Sequence, residues 1–199
     1  MTAENSTYAA GFGPYTVLDL HDLPEDGKGF ELEDGWLIEV AAGARHNWIA
    51  RRLARIIEAA GGDSVVALDG GEWEVSTPGG VRKPDVAVVP KDLARAVVLD
   101  QSPRLIPGPE LLLVVEVVSP GSGSERTDRV RKVREYAGLG IPEYWLVEHQ
   151  PAVRIHRARL DGASYHWEPA VDEGTEFAAD VEWDKPFRVV FDPAALLDI

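Results

Sequence analysis

Residues 111–118 read Leu-Leu-Leu-Val-Val-Glu-Val-Val, a continuous apolar run interrupted by one carboxylate. A strand with one solvated face alternates apolar and polar side chains, whereas a strand covered on both faces is apolar throughout. The run therefore predicts a central strand packed on two sides. The uninterrupted stretch Leu111–Val115 is far too short to cross a bilayer, which takes roughly 20 apolar residues. Glu116 is the residue that needs explaining. Burying it there costs on the order of several kcal/mol unless a cation or a good hydrogen-bonding partner compensates. The alternative is a strand-end Glu that turns to solvent or pairs with an Arg.

A second acid sits in a comparable place. In Lys83-Pro84-Asp85-Val86-Ala87-Val88-Val89-Pro90 the proline holds the chain before it extended, and Asp85 stands at the mouth of another apolar strand. Alone, Asp85 reads as a turn residue. If the two strands are neighbours, Asp85 and Glu116 converge, and two such acids suit a hard divalent ion such as Mg²⁺ or Mn²⁺, which takes oxygen ligands and keeps activatable waters.

The rest of the chain supplies an α/β or α+β setting. Asp19–Pro24 predicts a short helix. Phe30–Glu33 and Trp36–Val40 flank Asp34-Gly35 as a hairpin, and Trp48, Ile49, Leu53, Ile56 and Ile57 recur at helical spacing over Ala44–Ala60. Strands are expected at Ser64–Leu68, Glu72–Ser76, Val86–Val89 and Leu111–Val118. A Ser/Gly loop, Ser119–Ser124, then leads into a helix from Glu125 or Arg126 to Ala137. Tyr144–Val147, Val153–His156, Tyr165–Trp167, Glu176–Ala178 and Phe187–Phe191 complete a mixed sheet with extra hairpins. Residues 1–14 read as a loose leader and 15–199 as one domain.

Composition narrows the chemistry. With no Cys, thiolate metal sites, disulfides and Cys nucleophiles are excluded, so any metal is held by oxygen or imidazole. The N-terminus lacks the basic and apolar regions of a signal peptide, and a cytoplasmic protein is the expectation. No Walker loop, Gly-x-Ser-x-Gly elbow, His-Glu-x-x-His or dinucleotide fingerprint occurs. A net charge of −14 argues against a broad basic face for nucleic acid. Two local basic clusters remain, Arg45/Arg51/Arg52/Arg55 and Arg126/Arg129/Arg131/Lys132/Arg134, of the kind that most often form solvated helix faces. Asp128, Lys132 and Tyr136, four apart, share one face of the later helix.

A Pro-Asp at a strand start followed by a Glu in an apolar strand resembles the PD-(D/E)xK nucleases, although Val118 stands where their Lys would be. The stretch 109–120, then Asp128, Lys132, Tyr136 and 140–147, with Phe30–Gly35, His46 and Phe187–Ile199, is similar to the Uma2 family of restriction-endonuclease-like proteins. The resemblance covers roughly residues 15–199. It implies a restriction-endonuclease-like core and a Mg²⁺- or Mn²⁺-dependent endonuclease acting on nucleic acid, DNA foremost, as a homodimer. Asp85, Glu116, Glu31 and the carbonyl of Val117 are the implied metal ligands. Lys132 takes the place of the displaced lysine, so that the implied catalytic set is Asp85, Glu116, Lys132 and Glu31. Asp128, Tyr136 and His46 would support them, His46 by positioning a water or contacting phosphate. Two other readings stay open: a catalytically inactive binding or assembly protein on the same fold, and a hydrolase of smaller phosphate compounds.

Overall fold

The computed structural model describes residues 13–40, 42–71, 73–118, 121 and 125–199. Helix α1 (Val17–His21) starts at Thr16, whose hydroxyl accepts from the Asp19 N–H while the Asp19 carboxylate accepts from the Thr16 N–H. This capping box sets the start of the helix earlier than the expected Asp19. A single turn, α2 (Pro24–Gly27), leads into the hairpin β1 (Phe30–Glu33) and β2 (Trp36–Glu39). Asp34 and Gly35 both take positive φ, 48° and 80°, as a two-residue hairpin turn requires.

Next come α3 (Ala44–Gly61), β3 (Val65–Asp69), β4 (Val75–Thr77), β5 (Gly80–Arg82) and β6 (Val86–Pro90). Helix α4 (Lys91–Arg95) runs into a wide π-helical turn, Ala96–Asp100, and β7 (Ile106–Pro107) precedes β8 (Leu113–Val118). A second wide turn, Thr127–Arg131, opens α5 (Lys132–Gly138). The chain ends in β9 (Glu143–Glu148), β10 (Arg154–Asp161), β11 (Ser164–Trp167), β12 (Val171–Asp172), β13 (Phe177–Val181) and β14 (Phe187–Phe191).

The larger sheet has the order β11-β10-β9-β8-β6-β3, with β12 added to β10. Only β8 and β9 in it run parallel, which demands a crossover, and α5 supplies it. Every residue of β8 is buried. Its period-2 alternation sends Leu113, Val115 and Val117 toward Ile49, Leu53 and Ile57 of α3, Trp145 and the β13–β14 hairpin. Val114 and Val118 pack with Ala87, Tyr136, Tyr144 and Leu146 on the opposite side, and Glu116 shares their parity. A smaller sheet, β2-β1-β5-β4-β7, stands beside this framework.

The mixed α/β architecture and the central, doubly covered β8 match the expectation from sequence. Several short elements were not foreseen: α2, α4 with the wide turn after it, β5, β7 and β12. In β5 Val81 is the sole apolar residue, so no periodicity marks it, and the apolar segment Val97-Val98-Leu99 after α4, too short to show a period, winds as a helix. The expected strand at Glu72–Ser76 begins instead at Val75, with Glu72 outside the described residues. The leader, apart from Gly13 and Pro14, and the Ser119–Ser124 loop, apart from Gly121, also lie outside them. Among the described residues no helix is long and apolar enough to cross a membrane.

Because Leu53 is fully buried between α3 and the sheet, Leu53→Ala is expected to lower unfolding stability by about 2–5 kcal/mol in urea titration. Arg55→Ala, on the exposed face of the same helix, should stay within about 0.5 kcal/mol of the parent.

Candidate active site

The antiparallel pairing of β6 and β8 puts Val86 opposite Val115. Asp85, one residue before β6, thereby comes alongside the segment of β8 that carries Glu116. Asp85 Oδ2 accepts from the Val117 N–H at 2.7 Å and lies 3.0 Å from His46 Nε2. His46 reaches it from the first turn of α3, so this histidine is buried rather than on the solvated helix face where a lone His more often lies.

On the α5 side of β8, the Tyr136 hydroxyl donates to Glu116 Oε1 at 2.9 Å. The ammonium of Lys132, also from α5, stands 3.1 Å from Glu116 Oε1, 3.2 Å from Glu31 Oε1 and 3.2 Å from Asp128 Oδ1. Among the described residues the buried Asp128 Oδ1 is met by this ion pair alone. Asp128 belongs to the wide turn that opens the helix, where the Lys132 N–H reaches back to the Thr127 carbonyl. The Tyr144 hydroxyl, donating to the Asp128 carbonyl at 2.8 Å, ties that turn to β9. Wide turns of this kind often occur at functional positions.

A second tier of charges holds Glu31. Its Oε1 accepts from the Lys83 N–H at 2.9 Å and its Oε2 from Arg82 Nη1 at 3.0 Å. Arg82 is 1% exposed and lies between acids, with Glu33 at 2.7 Å and a two-point contact to Glu135 at 2.7 and 2.8 Å. Arg131 joins the same acids, pairing with Glu33, Asp34 and Glu135. This network bolts the smaller sheet to α5. Over it lies a cleft of about 640 Å³ bordered by Glu31, His46, Asp85, Glu116, Asp128 and Lys132.

The electrostatics follow from that crowding. Burial raises Glu116 well above the ordinary carboxylate range; Lys132 opposes the rise, and Asp128, Asp85 and Glu31 reinforce it. Asp128 is raised by burial in the same way, again against the pull of Lys132. Burial would lower Lys132, but the surrounding carboxylates outweigh it and hold the ammonium protonated. Burial likewise opposes protonation of His46, and Asp85, Asn47 and the Val117 backbone overcome it. The donors are the oxygens of four acids, more negative than the lysine beside them is positive, which is the chemistry a hard divalent cation accepts. Among the described residues, however, no three His, Asp or Glu side chains are grouped closely enough to enclose a metal. Lys132 Nζ stands among Glu31, Glu116 and Asp128, and His46 Nε2 stands beside Asp85.

Of the residues singled out from sequence, the structure gathers Glu31, Glu116, Asp128, Lys132 and Tyr136 into one cluster and sets Asp85, Val117 and His46 against its edge. Arg82, Lys83 and Glu135 were missed. Arg82 stands in β5 across from Glu31 only once Leu32 pairs with Val81, a register no local pattern announces. Glu135 reads as an ordinary polar residue of α5.

Glu135 provides a test of the network. Burial would raise its pKa, but hydrogen bonds from Arg82 and Arg131 outweigh burial and depress it below the ordinary Glu value. A carboxylate depressed in the folded state contributes stability that is fully present above its unfolded pKa, about 4.3, and is lost as pH falls through the folded value. Glu135→Gln should therefore be less stable than the parent at neutral pH, with the gap closing below about pH 4 in melting experiments.

Comparison with known proteins adds the lineage. The family model of Uma2, described as "Putative restriction endonuclease", matches residues 17–182. No curated protein matches the chain. Among solved structures it is similar to "a putative nuclease belonging to DUF820" from Anabaena variabilis ATCC 29413, at 17% identity and a TM-score of 0.56 over 80% of this chain and 86% of that one. Likeness at that identity establishes the shared fold, and the family match spans most of the sequence, including every element that builds the charged cluster. The chain belongs to the Uma2 family.

Proposed function

We propose that this protein is a metal-dependent nuclease that hydrolyses phosphodiester bonds in nucleic acid, with DNA as the first substrate to test. The observation that carries the reading is the approach of Lys132 from α5 to within 3.1 Å of Glu116. Val118 removes the lysine that PD-(D/E)xK sequences carry on the Glu strand, and Lys132 delivers an ammonium to the same carboxylates from a helix. Glu31 and Asp85 border the same cleft, so acids from three strand segments and a cation from one helix share one solvent-accessible space.

Asp85 and Glu116, with Glu31 and the Val117 carbonyl, are the groups that would hold Mg²⁺ or Mn²⁺, which supplies polarisation of the scissile phosphate and a lowered pKa for an attacking water. The remaining work falls to side chains already in place. Lys132 orients the water and stabilises charge developing on the phosphate oxygens. Tyr136 fixes the Glu116 carboxylate, Arg82 and the Lys83 N–H fix Glu31, and His46 fixes Asp85. Held groups of this kind need little reorganisation as the reaction proceeds.

One observation favours a second reading, an inactive binding protein. The Lys132 ammonium is engaged by three carboxylates and its side chain is 6% exposed, as in a purely structural ion cluster. Cleavage assays on single- and double-stranded DNA and RNA with Mg²⁺ or Mn²⁺ separate the two. Asp85→Ala and Lys132→Ala are each expected to reduce cleavage by about 100-fold or more, and cleavage should fall steeply with added salt. Equal cleavage by parent and variants would assign the activity to a contaminant and leave the structural reading.

A further inference from the structure

The second large cleft of the molecule, about 740 Å³, shares the lining residues Lys28 and Lys83 with the first. The wall between them is firmly held: Lys83 Nζ donates to the Gly27 carbonyl at 2.8 Å and lies 3.4 Å from Glu74, whose other oxygen is 2.7 Å from His21 Nε2. Trp73, Gln101 and Arg104 line this second cleft. Trp73 is half-buried: it packs on one side against the core around Leu68, Val75 and Val89, its indole N–H donates to the Asp69 carbonyl at 3.2 Å, and the rest of it lines the cleft. Gln101 takes a left-handed φ of 50° just after the wide turn Ala96–Asp100, a backbone state that is costly outside glycine and recurs at ligand sites. Its exposed side chain makes no hydrogen bond among the described residues, and Arg104 has only an exposed contact with Asp26 at 3.5 Å.

Two further facts bear on what could occupy adjoining clefts of this size. Cavities of about 300–1,000 Å³ take small-molecule-sized ligands, a size that suits one or two nucleotides per cleft. The second basic cluster is largely neutralised from within: Arg129 pairs with Glu125 and Glu148, Arg131 with Glu33, Asp34 and Glu135, and Lys132 lies in the acid cluster. The arginines of the two basic clusters that stay exposed, Arg45, Arg51 and Arg55 on α3 and Arg126 and Arg134 around α5, line neither cleft, in a protein whose net charge is −14. An indole, an amide and a guanidinium lining one cleft fit an unpaired base that stacks and hydrogen-bonds at its edge.

We infer that the substrate is a single strand, or a locally unpaired one, with its reacting phosphate in the first cleft and a neighbouring base against Trp73, Gln101 and Arg104 in the second. This rests on the nuclease reading above and specifies the substrate class. The test is binding of fluorescent single-stranded and duplex oligonucleotides of one sequence to full-length Asp85→Asn protein, followed by anisotropy. The single strand should bind at least about 10-fold more tightly than the duplex, and Trp73→Ala should weaken it by about 10-fold or more, the usual effect of losing one base–aromatic stack. Trp73→Phe should recover most of that loss. Arg104→Ala, at an exposed position where folding is not at stake, should weaken single-strand binding several-fold.

Duplex bound as tightly as single strand, or single-strand affinity unchanged in both Trp73→Ala and Arg104→Ala, would overturn the inference. If parent protein cleaves duplex under those outcomes, the nuclease reading survives without this subsite. If no oligonucleotide of either form binds, both fall.

Discussion

One ammonium, that of Lys132, lies within about 3 Å of carboxylates from a strand of each sheet and from its own helix. Without it, Glu116 would be a buried charge in the most apolar strand of the protein, surrounded by further acids. Removing one partner from such a buried pair usually costs about 3–5 kcal/mol, because the charge left behind has no water to solvate it. The placement of β1, β8 and α5 relative to one another is thus tied to a single cation. Tyr136 and Tyr144 extend the constraint, one hydroxyl on Glu116 and the other on the Asp128 carbonyl, with their rings 5.7 Å apart.

Arg82 has a complementary part. It is buried against Glu31, Glu33 and Glu135, and the planar fork of a guanidinium suits such multipoint pairing better than an ammonium does. Together Lys132 and Arg82 fix Glu31 from two sides, one at each oxygen. The acid from the smaller sheet is therefore positioned by the helix of the larger one, and the cleft exists because these two layers meet over charges instead of apolar side chains. A site assembled this way is held from several elements at once, yet it remains acidic overall.

Much of the scaffold was legible in the sequence because local patterns report burial. The apolar run around Glu116 marked a central strand; helical spacing in 44–60 marked the helix that covers it; Asp34-Gly35 marked a hairpin. Short segments were less legible. β5 contains one apolar side chain, and the apolar residues after α4 satisfy both strand and helix patterns, so packing and not propensity decided them. Among the candidate site residues, the apolar context of Glu116 and the position of Asp85 at a strand mouth were visible locally, whereas the burial of His46 and Glu31 was not. Each occupies a setting in which a polar side chain normally faces water, and only the partners provided by other elements make burial tolerable.

The sequence by itself determined that a two-sided apolar strand would carry a carboxylate needing a partner or an exit to solvent, that no thiol could serve it, and that a cation four residues from an acid and a tyrosine would share a helix face. Those are consequences of side-chain chemistry and of the periods of strand and helix. Tertiary structure alone decided that this helix face turns toward Glu116, that Glu31 and Arg82 meet across β1 and β5, and that α3 points His46 at Asp85. The physical reason is range: strand register and helix docking place residues separated by tens of positions within hydrogen-bonding distance, and no local pattern encodes that.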